Sequence, residues 1–244
     1  MTSTLTAPGR LSADPDSAPI TLAVLDMAGT TITDDGLVER AFLAANDAEQ
    51  LATDDSALAQ MLQYVRDTMG YSKIVVFRHL TDGDEERAQR ANAAFETAYQ
   101  QIVADGAAAE IPGARATMEA LRRAGVKIAM TTGFAVDTQT ALLDALGWTD
   151  IADVTLTPAE AGRGRPFPDM ALAALIATQT ESVANMIVVG DTANDILTGV
   201  RSGAAAAIGV LTGAHDEQQL RAAGATHVLS SIAELPLLLG IPLD

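Results

Sequence analysis

Cysteine is absent from the 244 residues. That excludes disulfides, a thiolate metal site and a cysteine nucleophile. Aromatic residues are scarce at 4%, although 48% of the chain is hydrophobic, so the core is expected to be built mostly from Ala, Leu, Val and Ile. No apolar run approaches the ~18 residues that span a bilayer. The N-terminus carries neither a basic patch nor an apolar stretch, so no signal peptide is expected and a cytoplasmic location is. Positive charge is also short: 15 Lys and Arg face 32 Asp and Glu, for a net charge of −17 and a pI of about 4.3. A field of that sign repels nucleic acid and anionic membrane, so neither is expected as a partner. It would repel a phosphate as well, so a phosphate site here needs local compensation by a metal ion or an arginine. Lysine is the rarest charged residue, with only Lys73 and Lys127. There is no internal repeat, no Walker loop and no GxGxxG after a strand, so the nucleotide-binding fingerprints are missing.

What is present is ordered. Residues 1–19 are rich in Ser, Thr, Ala, Pro and Asp and read as a disordered tail. Ile20–Asp26 is a short apolar run with β-branched residues between turn signals, which predicts a buried strand. From Val38 to about Ala107 apolar residues recur at three and four spacing, which predicts helices, with breaks at Thr68–Ser72 and Thr81–Asp84. After Ile111–Pro112–Gly113, strands are expected at Val126–Thr132, Val154–Thr157, Met186–Gly190, Ala205–Val210 and His227–Leu229, with helices between them. That alternation predicts an α/β fold: a Rossmann-like parallel sheet with helices on both faces. A crossover needs about a dozen residues, and the stretch between the first two strands is far longer. Residues 38–109 are therefore expected to form an inserted all-helical cap on a core made from 20–37 and 110–244. The cap should sit over the C-terminal strand ends, where open α/β sheets bind ligands.

Three of those strand ends are polar. The first strand ends in Asp26, the next in Thr131, Thr132 and Gly133, and a later one in Gly190 and Asp191, with Asn194 and Asp195 opening the following helix. A parallel sheet gathers such ends on one edge. Asp26 and Asp191 would then make a hard oxygen site suited to Mg²⁺, which takes one or two carboxylates, water and substrate phosphate. Asp195, one helical turn on, would orient Asp191 or its water. Thr132 and Gly133 offer a hydroxyl and an N–H to a phosphate oxygen, and Arg165 offers a fixed charge. Thr131 reads as structural. His215 and His227 read as structural or exposed, and His79 reads as a surface residue.

The segments DMAGTT, TTG, GRP and GDTAND occur in that order from residue 20 onward. The chain thereby resembles the haloacid dehalogenase superfamily, whose members form an aspartyl-phosphate. The resemblance implies that Asp26 is the nucleophile and that Thr132, Gly133 and Arg165 bind the phosphoryl group. It also implies that Asp26, Asp191 and the carbonyl of Ala28 hold Mg²⁺, with Thr30 and Asp195 in support. Most phosphatases of the superfamily have a second Asp two residues after the nucleophile as general acid; here that residue is Ala28.

Alanine there resembles the phosphonoacetaldehyde hydrolase (phosphonatase) branch, in which a cap lysine forms an imine with the substrate aldehyde. The cap motif of that branch, Met-Gly-x-x-Lys, is matched by Met69, Gly70 and Lys73. Arg cannot form a Schiff base, whereas a desolvated Lys can. Lys127, at a strand start, is expected to be solvated. The Asp-His pair that follows the lysine in that branch is replaced by Val75 and Val76. The resemblance also implies a homodimer through the cap helices. Three readings stay open: a hydrolase cleaving the C–P bond of phosphonoacetaldehyde or a related small phosphonate through Lys73, a phosphatase for a small phosphate ester, and a binding or regulatory protein with weak turnover. An ordinary exposed lysine at a helix start is the competing role for Lys73.

Overall fold

In a computed structural model of the chain, Leu11 and residues 18–243 are described. The tail expected over 1–19 otherwise lies outside the described residues. Six short strands form one parallel sheet in the order β3-β2-β1-β4-β5-β6. They are β1 (Leu22–Asp26), β2 (Lys127–Thr131), β3 (Val154–Leu156), β4 (Met186–Gly190), β5 (Ala206–Val210) and β6 (His227–Leu229). Every residue of β1, β4 and β5 is buried. These strands read as unbroken apolar runs because helices cover both faces of the sheet.

The chain turns back on itself between β1 and β4. β1 pairs with β2 on one side, Asp26 opposite Thr131, and with β4 on the other, Leu25 opposite Val189. That register puts Asp26, Thr131 and the Gly190–Asp191 step at one edge, where a crevice opens in sheets of this kind.

The long connection from β1 to β2 begins with α1 (Leu37–Glu49), α2 (Asp55–Asp67), α3 (Lys73–Leu80) and α4 (Glu85–Ile102), which a π-helical turn at Val103–Ala107 follows. The breaks at Thr68–Ser72 and Thr81–Asp84 fall between helices as expected. The break between α1 and α2 carries no Gly or Pro; Gln50 ends α1 in a left-handed conformation (φ 48°) and Asp54 caps α2 by accepting from the Ala57 N–H. After the π-helical turn come α5 (Ala114–Arg123), which leads into β2, then α6 (Val136–Leu146), α7 (Pro158–Ala161), α8 (Asp169–Ala177), α9 (Ala193–Ser202) and α10 (Glu217–Ala222). The four-residue α7 escapes the apolar pattern because it buries no residue. No helix among the described residues is long and apolar enough to cross a membrane.

The sheet core is aliphatic, as the composition requires. Several of the few aromatics are concentrated elsewhere, among α1, α3 and α4 and the residues after β2. Phe42 lies 4.8 Å from Phe77 and 4.7 Å from Phe95, and Tyr99 lies 4.5 Å from Phe134, which follows β2. These rings belong to the same hydrophobic cluster as the sheet residues Leu25, Ile128 and Val189.

Candidate active site

The strand ends bring together the carboxylates expected from the sequence. Carboxylate oxygens of Asp26, Asp191 and Asp195 all lie within 4.8 Å of one another, and all three residues are buried. Burying three like charges is costly unless a cation compensates. Arg165, itself buried, supplies part of that. Its Nη1 is 2.6 Å from Asp26 Oδ1 and its Nε is 2.9 Å from Asp195 Oδ1. Its Nη2 donates to Thr131 Oγ1 at 2.8 Å, so Thr131 orients the guanidinium. Burial works against the charge on Arg165, but Asp195 and Asp26 outweigh it and the group is held cationic.

One arginine does not balance three carboxylates. Burial raises the Asp26 carboxyl to a pKa of about 6, with Arg165 pulling it down and Asp195 pushing it up. Burial also raises Asp191 well above the ordinary range, and Asp26 and Asp195 add to the shift. The site is thus short of positive charge, and a divalent cation would supply it. Asp191 faces the cavity that Asp26 and Ala28 also line, and elsewhere the backbone packs closely on its carboxylate. A Cβ on Gly213 would lie 2.0 Å from Asp191 Oδ2, and one on Gly29 would lie 2.5 Å from the same atom. Asp191 also accepts from Thr30 Oγ1 at 3.2 Å and from the Ala214 N–H at 2.8 Å. Gly213 and Ala214 belong to none of the sequence motifs. The signal lies in topology: they follow β5, the neighbour of β4, so their loop abuts Asp191.

Asp195 works in two directions. It forms a capping box with Thr192 at the start of α9, and its other carboxylate oxygen holds Arg165. Thr132 is 2% exposed and its Oγ1 accepts from the Phe134 N–H at 3.3 Å. Thr132, Gly133, Ala28, Asp26, Asp191, Arg165, Met69, Gly70 and Lys73 all line one cavity of about 470 Å³.

Met69, Gly70 and Lys73 reach that cavity because the α2–α3 loop is fastened to the core. Asn194 Nδ2 donates to Met69 O at 2.8 Å, and the Lys73 N–H donates to Gly133 O at 3.2 Å. Gly70 (φ 86°) approaches Thr192 so closely that a Cβ would lie 2.7 Å from its hydroxyl. Lys73 opens α3 but is only 6% exposed. Its Nζ sits 5.2 Å from the Phe134 ring centroid and 5.9 Å from that of Phe95. No carboxylate of the described residues comes within 4 Å of it. Burial lowers the Lys73 pKa, opposed by Asp34 and Glu96. Lys73 is therefore not a solvated helix-start lysine. Lys127 is exposed and donates to Thr178 O.

The two valines part company. Val76 is buried in the core, while Val75 is 44% exposed beside a second cavity of about 740 Å³ that Lys73 also lines. His79 is exposed and stacks on Tyr64 at 4.0 Å. No sequence pattern points to Glu96, which the fold brings toward Lys73 from α4.

A parallel α/β sheet with buried carboxylates at the ends of two adjacent strands and an arginine among them makes a site that could hold a metal ion. The chain belongs to the haloacid dehalogenase-like hydrolases, whose family profile matches residues 20–203. It is similar to a phosphonoacetaldehyde hydrolase of Parabacteroides distasonis, at 32% identity over 152 residues. That match covers 52% of this chain and 56% of the relative, so the chain spans about half the relative's length. It is also similar to the probable phosphatase IndB of Dickeya dadantii, at 26% identity over 88% of this chain and 91% of that protein. In fold it matches a phosphonoacetaldehyde hydrolase like protein from Oleispira antarctica, with a TM-score of 0.78 and 24% identity, covering 98% of this chain and 95% of that one.

Proposed function

We propose that the protein is a Mg²⁺-dependent hydrolase of the phosphonatase type, cleaving the C–P bond of phosphonoacetaldehyde or a related small phosphono-carbonyl compound. The observation that carries this reading is Lys73: a buried amine between aromatic rings, without an ion-pair partner among the described residues, lining the same cavity as Asp26. Desolvation favours the free amine, which is the nucleophile that imine formation requires. In this reading residues 38–109 act as the cap that delivers Lys73 to the core.

The Lys73 imine turns the substrate carbonyl into an electron sink. An Asp26 carboxylate oxygen then forms a bond to phosphorus while the C–P bond breaks. Its electron pair enters the carbon skeleton as an enamine. Ala28 fits this chemistry, because no alcohol leaves and no general acid is needed at that position. Water next attacks the aspartyl-phosphate, giving inorganic phosphate and restoring Asp26. The enamine is protonated at carbon, and hydrolysis of the imine frees the aldehyde and Lys73. Arg165 holds Asp26 in line, and Thr132 and Gly133 orient the phosphoryl oxygens. Asp26, Asp191 and the Ala28 carbonyl would hold Mg²⁺, with Asp195 and Thr30 in support; the bound ion supplies positive charge to the phosphoryl oxygens.

Borohydride added during turnover of phosphonoacetaldehyde should attach a two-carbon group to Lys73, read by peptide mass. Full activity in Lys73→Arg, with no adduct in the wild type, would sink the reading. A second reading, a phosphatase for a small phosphate ester, is favoured by the near full-length similarity to a probable phosphatase. It predicts turnover of nitrophenyl phosphate that depends on Asp26 but not on Lys73.

A further inference from the structure

We infer that Glu96 is the proton-transfer partner of Lys73, taking a proton from the ammonium before attack and returning it to the oxygen that leaves as water. The inference rests on the imine reading above. Its basis is a buried carboxylate of which only one oxygen has a backbone partner. Glu96 lies in the interior of α4 and is 8% exposed. Its Oε1 accepts from the Ala135 N–H at 3.2 Å, but Oε2 is buried with no hydrogen-bond partner among the described residues. A buried unpaired carboxylate oxygen is expensive and calls for a reason. Among the described residues the cation acting on it is Lys73, and both residues line the second cavity. The other carboxylate near Lys73, Asp34, also accepts a backbone N–H, that of Val38, but among the described residues it leaves no buried oxygen unpaired.

The surroundings favour the exchange. Burial raises the Glu96 carboxyl, against the Thr138 hydroxyl, the Ala135 amide and Lys73; Asp137, on α6, adds to the rise. Burial lowers Lys73, against Asp34, Glu96 and Asp26, with Arg165 adding to the fall. Tyr99, one turn along α4, also feels Glu96. In a low-dielectric pair, amine plus carboxylic acid is the form that desolvation favours.

Lys73 first passes one proton to Glu96. The Nζ lone pair forms the N–C bond, and the carbonyl π pair moves to oxygen, which takes a proton from the same nitrogen. Glu96 returns its proton to that hydroxyl. The C–O bond breaks with its electron pair, water leaves, and the nitrogen lone pair completes the iminium. The pair is more than 4 Å apart, so the proton crosses an intervening oxygen, that of the hydroxyl or of water.

The test is the rate of borohydride trapping by phosphonoacetaldehyde across pH, in wild type, Glu96→Gln, Glu96→Asp and Asp34→Asn. Glu96→Gln should trap about 10²-fold more slowly, the scale of general acid–base catalysis. Its half-maximal pH should fall, because the carboxylate no longer holds the Lys73 proton. Glu96→Asp should lie between, and it carries the test should Glu96→Gln lose its circular dichroism. Wild-type trapping with an unchanged rate and profile in Glu96→Gln overturns the inference and leaves the imine reading standing. Slowing in Asp34→Asn alone also overturns it. No wild-type trapping, with activity kept in Lys73→Arg, removes both.

Discussion

Arg165 Nη1 lies 2.6 Å from Asp26 Oδ1, and both side chains are nearly closed to solvent. The same guanidinium reaches Asp195 and Thr131. It therefore does more than offer charge to an incoming phosphoryl group: it fixes the carboxylate proposed to attack. Arg165→Met keeps the volume and leaves three buried carboxylates uncompensated. Removing one partner of a buried pair costs about 3–5 kcal/mol, and urea unfolding should show a loss of that order. Arg165→Lys keeps the charge without the fork and should lose less stability, yet activity should still drop by about 10²-fold, the scale of losing one fixed oxyanion donor.

Asp191 is buried beside two other carboxylates, with a strongly raised pKa. In EDTA, Asp191→Asn should be more stable than wild type by about 1 kcal/mol, the usual gain when a functional site is relieved of its strain. Its amide oxygen can still accept from the Ala214 N–H. Excess Mg²⁺ should raise the wild-type melting temperature and leave Asp191→Asn unmoved, since only a protein that binds the ion gains from it. Equal Mg²⁺ shifts in the two proteins would place the ion elsewhere.

Space around Asp191 is guarded by glycine. Gly213→Ala brings a Cβ to 2.0 Å from Asp191 Oδ2, so the carboxylate or the loop has to move. A displacement near 1 Å costs about 10²-fold in rate. Gly213→Ala is expected to show that loss with a native far-UV spectrum and a smaller Mg²⁺ stabilisation. Unchanged kinetics would remove this loop from the site.

Lys73 links stability to pH. Burial puts its folded pKa below the ordinary 10.5. The unfolded chain therefore binds this proton more readily, and stability rises with pH between the folded value and 10.5. What Lys73 contributes is complete above 10.5 and is lost as pH falls through the folded value. The stability of wild type relative to Lys73→Met should climb from neutral pH toward 10.5. A flat difference would show that Lys73 is solvated.

Much of this was legible in the sequence because it is local. An apolar run ending in Asp26, another ending in Gly190–Asp191, and the turn residues between helices each specify their element over a few residues. Ordered along the chain, they predict a parallel sheet with its carboxylates on one edge. The long gap between Asp26 and Val126 likewise leaves space for the helices found there, and the rarity of lysine singled out Lys73. Only the tertiary structure decided what surrounds those groups. The pairing of Arg165 with Asp26, the approach of Gly213 to Asp191, and Glu96 facing Lys73 from α4 join residues far apart in sequence, and no periodicity encodes such contacts. Asp26 opens the site from the sequence alone; its charge, its partners and the room beside it are set by which strands become neighbours and by how much water their packing excludes.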